Sequence, residues 1–146
     1  MFKYNILQSP SFTVNTKTVD LIFEKISNIV PENQNWTLNL VFLDPLSIQN
    51  LNNKYRWIDK NTDVLSFHYF DNFSDLKDED TAWEIIFSEE KIISQAVEYW
   101  LWEEKEFYKL IIHSVLHILW YDHEQDDDYK TMSQLEKLIW QEVFEK

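Results

Sequence analysis

The sequence predicts an α/β (α+β) fold with a single mixed β-sheet of about four strands and about five to six helices. Two observations support this. Apolar residues alternate with period two in short segments and recur at helical spacing in longer ones. These segments follow the order strand, helix, strand, helix, two strands and three helices. With 146 residues, of which 45% are hydrophobic, the chain is expected to form one domain over residues 1–146.

The first half of the chain predicts two strands that alternate with two helices. The predicted elements are a strand over 2–6, a helix over 19–30, a strand over 36–43 and a helix from 45. Thr16 or Thr18 is expected to cap the first helix, and Pro31 to stop it. Asp44 followed by Pro45 forms an N-cap with proline at the first helical position, so the second helix should begin there.

The second half predicts two strands followed by three helices. The predicted elements are a strand over 62–67, an acidic loop over 69–82, a strand over 84–87, and helices from 89, over 103–119 and over 128–144. Ser88 is expected to cap the first of these helices, with its core face formed by Ile92, Ile93, Ala96 and Val97. The helix over 103–119 is apolar on nearly every face after Phe107, which predicts a central, buried position.

Composition excludes several classes of protein. The chain carries 13 basic and 26 acidic residues, a net charge of −13, which argues against non-specific coating of nucleic acid or anionic membrane. The absence of cysteine excludes disulfides, thiolate metal ligands and a cysteine nucleophile. The N-terminus has no basic stretch followed by an apolar run, and the longest apolar run is too short to span a bilayer. We therefore expect a soluble, cytoplasmic protein with no membrane partner.

Three of the four histidines lie within eleven residues, and their spacing predicts a metal site. His113 and His117 are four apart on the predicted central helix, so both imidazoles should project from one face. His123 follows just beyond the helix end, where a turn can bring it back to that face. Three imidazoles suit one Zn²⁺ per chain and leave a coordination position for water, as in catalytic zinc sites. We therefore predict a metal-dependent hydrolase whose site lies at the end of a buried helix.

The same histidine spacing occurs in zinc proteases with the motif HExxHxxGxxH. In those proteases the glutamate after the first histidine acts as the general base. Here that position holds Ser114, which cannot take a proton at neutral pH. The peptidase interpretation therefore lacks its catalytic group.

Three segments resemble one known family. HSVLHILWYDH (113–123) resembles the signature HGxLHLxGYDH of the YbeY family of bacterial rRNA maturation factors. NNKYRWIDKNTDVLSFHYF (52–70) resembles the family's N-x-x-Y-R-G-K-D-K-P-T-D-V-L-S-F-P stretch, and AWEIIFSEEKIISQA (82–96) its G-D/E-I-x-I-S strand and following helix. The resemblance covers roughly residues 36–140.

The resemblance implies a zinc-dependent endoribonuclease that acts on single-stranded RNA. Its expected roles are maturation of the 3′ end of small-subunit rRNA and ribosome quality control, with the small subunit or its proteins as partners and no role for DNA. Two alternatives stay open. One is another zinc hydrolase, such as a peptidase, and the other is a non-catalytic ribosome-assembly factor stabilised by its metal.

The resemblance also assigns roles to individual residues. It makes His113, His117 and His123 the metal ligands, and it makes Arg56, the only arginine of the chain, the catalytic residue that binds a substrate phosphate. Two carboxylates are candidates for orienting a ligand histidine, with turn formation as the alternative role. They are Asp63 and Asp122.

The chain departs from the family pattern mainly at glycines. It contains no glycine and seven tryptophans. Trp57, Trp83 and Trp120 stand where the family has glycine, and Trp100 where glycine is common. Two explanations stay open: UGA codons that the source reads as glycine have been translated as tryptophan, or the chain is a glycine-free variant with repacked turns. Ser114, which also replaces a glycine, does not follow from the first explanation.

Overall fold

The computed structural model describes residues 3–29, 37–56, 64–68, 81–119 and 126–145. These ranges contain four strands and five helices in the predicted order. They are β1 (Lys3–Leu7), α1 (Thr16–Ile29), β2 (Thr37–Leu43), α2 (Pro45–Arg56), β3 (Val64–His68), β4 (Thr81–Ser88), α3 (Glu89–Glu98), α4 (Glu103–Leu119) and α5 (Asp126–Phe144). None of the helices in these ranges has the length and apolar character needed to cross a membrane.

The sheet is mixed, as the sequence predicts, and has the order β1-β2-β4-β3. β1, β2 and β4 are parallel, whereas β3 pairs antiparallel with β4 at one edge. Alternate residues of β2 point to opposite faces. Leu40 and Phe42 enter the main core, while Val41 packs with Ile86 and with Ile48 of α2 on the other side. Helices therefore cover both faces of the sheet.

The main core forms around α4, which confirms the predicted central position of this helix. Phe107, Ile111, Val115 and Leu116 are all fully buried. α4 contacts α1, α3, α5 and β3. β3, which contains the VLSF sequence, and α4, which contains HSVLH, are therefore in contact although they are far apart in sequence.

Local capping explains where two helices begin. The Asn15 side-chain oxygen accepts hydrogen bonds from the backbone N–H groups of Lys17 (3.0 Å) and Thr18 (3.4 Å), so Asn15 caps α1 and the predicted capping by Thr16 or Thr18 is wrong. Thr16 is instead the first helical residue. Asp44 caps α2 as predicted, since its carboxylate accepts the Ser47 backbone N–H at 2.8 Å.

Two further sequence predictions need correction. β4 begins at Thr81, so the acidic loop predicted over 69–82 ends earlier than expected. Val97 was predicted on the core face of α3, but its side chain is 76% exposed. Ile92 and Ala96 form the buried face of this helix. Val97 follows Ala96 near the helix end and lies outside that face.

The two described tryptophans at family glycine positions differ in their surroundings. Trp83 is buried in the core, beside a register shift between β2 and β4. Trp100 is 94% exposed and has φ of 60°. The Leu101 N–H bonds the Ala96 carbonyl and the Trp100 N–H bonds the Val97 carbonyl, which is the Schellman arrangement that places a left-handed residue, usually glycine, at position 100. Trp57 and Trp120 lie outside the described residues.

Candidate metal centre

From Glu106 to Ile118, α4 is buried except for one stripe of polar residues. Lys109, His113 and His117 follow one another at intervals of four and are exposed, whereas the residues between them are all buried. The imidazole rings of His113 and His117 lie with their centroids 6.3 Å apart and their planes within 11° of each other. The prediction that both rings share one face of the helix is therefore confirmed.

Glu136 of α5 holds the first histidine of this pair. Its Oε1 lies 2.7 Å from Nδ1 of His113, whose side chain is 52% exposed. No motif in the sequence points to Glu136. A usable signal is the apolar spacing of α5, because Met132, Leu135 and Ile139 define its core-facing side and position 136 borders that side. A carboxylate there must lie close to whatever α5 packs against.

The other predicted site residues are only partly described. Arg56 is the last residue of α2, and its side chain lies outside what the structure describes. His123, Asp63 and Asp122 also lie outside the described residues. Across the described ranges, no three His, Asp or Glu side chains converge as a complete metal site. The assignment of all three histidines as metal ligands therefore stays a prediction.

The donors that are described suit a divalent ion such as zinc. Neutral imidazole nitrogens are common zinc ligands, and two of them at consecutive turns of one helix can reach a single ion. The hydrogen bond from the His113 ring to a carboxylate is the usual environment of a metal-binding histidine. The residues therefore fit the group that the sequence predicts.

The position that carries the base in zinc proteases faces the interior of this protein. Ser114 is 3% exposed, and among the described residues its hydroxyl has no hydrogen-bond partner. A serine hydroxyl in this place is not a base at neutral pH. The site therefore offers no counterpart of the protease glutamate at position 114.

A groove of about 400 Å³ lies between α4 and α5. Lys109, Lys137 and Trp140 line it together with Glu136 and Glu145. Lys109 also lies over the Tyr99 ring, with its Nζ 4.6 Å from the ring centroid. The groove thus combines two lysines, two glutamates and an aromatic side chain, and Glu136 connects it to His113.

Comparison with known proteins identifies similar chains. The family described as Endoribonuclease YbeY matches residues 5–143. The chain is 40% identical to the Endoribonuclease YbeY of Mycoplasmopsis pulmonis over 122 residues, which cover 80% of this chain and 82% of that protein. It is 37% identical to that of Clostridioides difficile over 127 residues, covering 81% and 83%. The solution structure of TM1509 from Thermotoga maritima matches with a TM-score of 0.61 and 27% identity, covering 99% of this chain and 89% of that one.

Proposed function

The chain belongs to the YbeY endoribonuclease family, and on that premise we propose that it cleaves single-stranded RNA with a zinc ion held by His113, His117 and His123. The observation that carries this proposal is the pair of exposed, neighbouring imidazoles on the solvent-facing stripe of a core helix. Solvent exposure accounts for a polar residue such as Lys109 on this stripe. A metal site accounts for two histidines at ligand spacing, one of which bonds a carboxylate through Nδ1.

The protein's side chains have different roles in RNA hydrolysis. The three histidines hold the ion, which supplies a Lewis acid to polarise a phosphoryl oxygen and activate water. Arg56 binds the phosphate and offsets the negative charge that develops on it during cleavage. Its planar guanidinium suits two phosphate oxygens at once. Asp63 and Asp122 accept hydrogen bonds from ligand histidines or form the turns beside them.

The groove between α4 and α5 offers the RNA a local binding site on an acidic protein. The net charge of −13 disfavours general attraction of RNA. Lys109 and Lys137 supply two positive charges in the groove, where Glu136 and Glu145 also lie, and Trp140 offers an aromatic surface for a base. We expect contact with a short, unpaired stretch of RNA and weak affinity for RNA in isolation.

The biological role that follows is maturation of the 3′ end of small-subunit rRNA and ribosome quality control in the cytoplasm. A protein of this charge gains from a partner that delivers the RNA, and the small ribosomal subunit or its proteins fit that need. A peptidase role is not favoured, because Ser114 supplies no base and the relatives named above are endoribonucleases. A non-catalytic assembly factor would bind metal without cleaving RNA.

Metal content and cleavage test the proposal together. Elemental mass spectrometry of the wild type should find about one zinc per chain, with less in His123→Ala purified alike. Zinc-loaded wild type should then cleave single-stranded RNA but not casein, and a chelator should stop the cleavage. Zinc binding without RNA cleavage would favour the assembly factor, and cleavage of casein would favour the peptidase.

A further inference from the structure

We propose that Glu136 is the positioning residue that prepares His113 to bind the metal through its Nε2 atom, an inference that rests on the proposed metal site. The basis is the 2.7 Å contact between Glu136 Oε1 and His113 Nδ1. This distance is that of a strong hydrogen bond. Glu136 lies outside all three segments on which the family resemblance rests.

The contact determines which ring nitrogen holds the proton. An ionised carboxylate can only accept hydrogen bonds, and a neutral imidazole has one N–H. Nδ1 must therefore carry the proton of a neutral His113, which leaves the lone pair on Nε2. A metal binds a neutral imidazole through that lone pair. The carboxylate also makes the ring a better electron donor and holds its orientation.

The carboxylate stands on a rigid element. Leu135, next to it on α5, packs against the main core, and Ile139, about one turn further along, is fully buried in that core. Further along α5, Glu142 forms an ion pair with Lys25 of α1 at 3.6 Å. The packing of α5 against α4 therefore fixes the distance from Glu136 to His113. Positions held by packed helices keep their geometry better than positions on loops.

Glu142 supplies a matched control for Glu136. Both carboxylates lie on α5, their side chains are 31% and 32% exposed, and each pairs with a basic residue of another helix. Replacement of either one removes one negative charge and one side-chain contact to another helix. Only Glu136 contacts a predicted metal ligand, so a difference between the two variants isolates the positioning role.

The test measures zinc affinity by competition with a chromophoric chelator. We expect Glu136→Ala to bind zinc about 10–100-fold more weakly than wild type. Glu136→Gln should retain more of the affinity than Glu136→Ala, because its amide oxygen still accepts the Nδ1 proton. Glu142→Ala should bind as wild type. Circular dichroism of each variant checks that the fold is kept.

A second measurement follows the proton itself. In the metal-free wild type and in Glu136→Gln, ¹⁵N NMR should show His113 protonated on Nδ1, and Glu136→Ala should lose that preference. Equal zinc affinity and an unchanged tautomer in Glu136→Ala would overturn the positioning role while leaving the metal site intact. Zinc binding that depends on Glu136 in a protein that cleaves no RNA would support the positioning role and contradict the proposed nuclease. A wild type that takes up no zinc would overturn both.

Discussion

At the scale of single residues, position 100 carries a tryptophan in a left-handed backbone conformation that favours glycine. Trp100 holds a left-handed φ of 60° with its indole 94% exposed, so it loses little packing when replaced. A side chain with a Cβ atom is disfavoured in this conformation, whereas glycine adopts it readily. We expect Trp100→Gly to raise the free energy of unfolding by about 1 kcal/mol, or about 2–4 °C in Tm.

Thermal and urea unfolding check this prediction, with Trp100→Ala as the control. Alanine removes the indole but keeps the Cβ atom, so it should gain less than glycine. Equal stability of the two variants would show that the backbone conformation at position 100 is not the source of the effect. A gain confined to glycine would also agree with the codon explanation for the excess of tryptophan.

Residue types and spacing predicted part of the candidate metal centre at this scale. Positions four apart on a helix must share a face, so the relation of His113 to His117 follows from sequence. Glu136 is 23 residues from His113, and its contact depends on how two helices pack. Rules for residues close in sequence therefore cannot predict this contact, which follows from the packing of α5 against α4.

At the scale of elements, the N-cap of α2 supports the helix that ends at Arg56. Asp44 accepts hydrogen bonds from the Ser47 backbone N–H and the Ser47 hydroxyl, and these bonds lower the pKa of its carboxyl group below the usual value. A lowered pKa in the folded state means that the ionised form stabilises the protein. That contribution is complete above the ordinary aspartate pKa and is lost as the pH falls through the lower folded value.

We therefore expect Asp44→Ala to lower Tm at neutral pH, with Asp44→Asn closer to wild type because asparagine also caps helices. The stability difference between wild type and Asp44→Asn should begin to shrink below about pH 4, where the carboxyl group of the unfolded chain takes up a proton. It should be lost once the pH falls below the lower pKa of the folded carboxyl group. Unfolding followed by circular dichroism at several pH values measures this. A difference that stays constant down to pH 2 would contradict the assigned role of the charge.

Element boundaries followed the sequence wherever a local signal fixed them. Asp44 and Pro45 placed the start of α2, and the apolar character after Phe107 placed α4 in the core. Two boundaries were predicted wrongly, for different reasons. Several residues before α1 are suitable N-caps, and Asn15 rather than a threonine caps the helix. β4 extends to Thr81 because pairing with β2 adds residues that lack an apolar pattern.

At the scale of the whole molecule, the charge of −13 limits how RNA can bind. If RNA occupies the groove between α4 and α5, each lysine there releases counterions from the phosphate backbone. Lys109→Gln should then weaken binding of a short single-stranded RNA and reduce the slope of log affinity against log salt by about 0.7. Fluorescence anisotropy at a series of salt concentrations measures both quantities.

Lys17→Gln makes the same change of charge at the first turn of α1 and serves as the control. Its salt slope should stay at the wild-type value. If both lysine variants reduce the slope equally, RNA responds to the overall charge of the protein and the groove has no special part in binding.

The most direct test of the central proposal is zinc-dependent cleavage of a single-stranded RNA by wild type, His117→Ala and His68→Ala. His68 is the one histidine outside the cluster and controls for the loss of an imidazole. The account predicts cleavage by wild type and His68→Ala that stops with chelator and returns with zinc. The rate of His117→Ala should fall by more than about a hundredfold, since changes to groups behind the ligands alone cost 10–100-fold. Cleavage by His117→Ala at the wild-type rate, or by wild type in excess chelator, would contradict it.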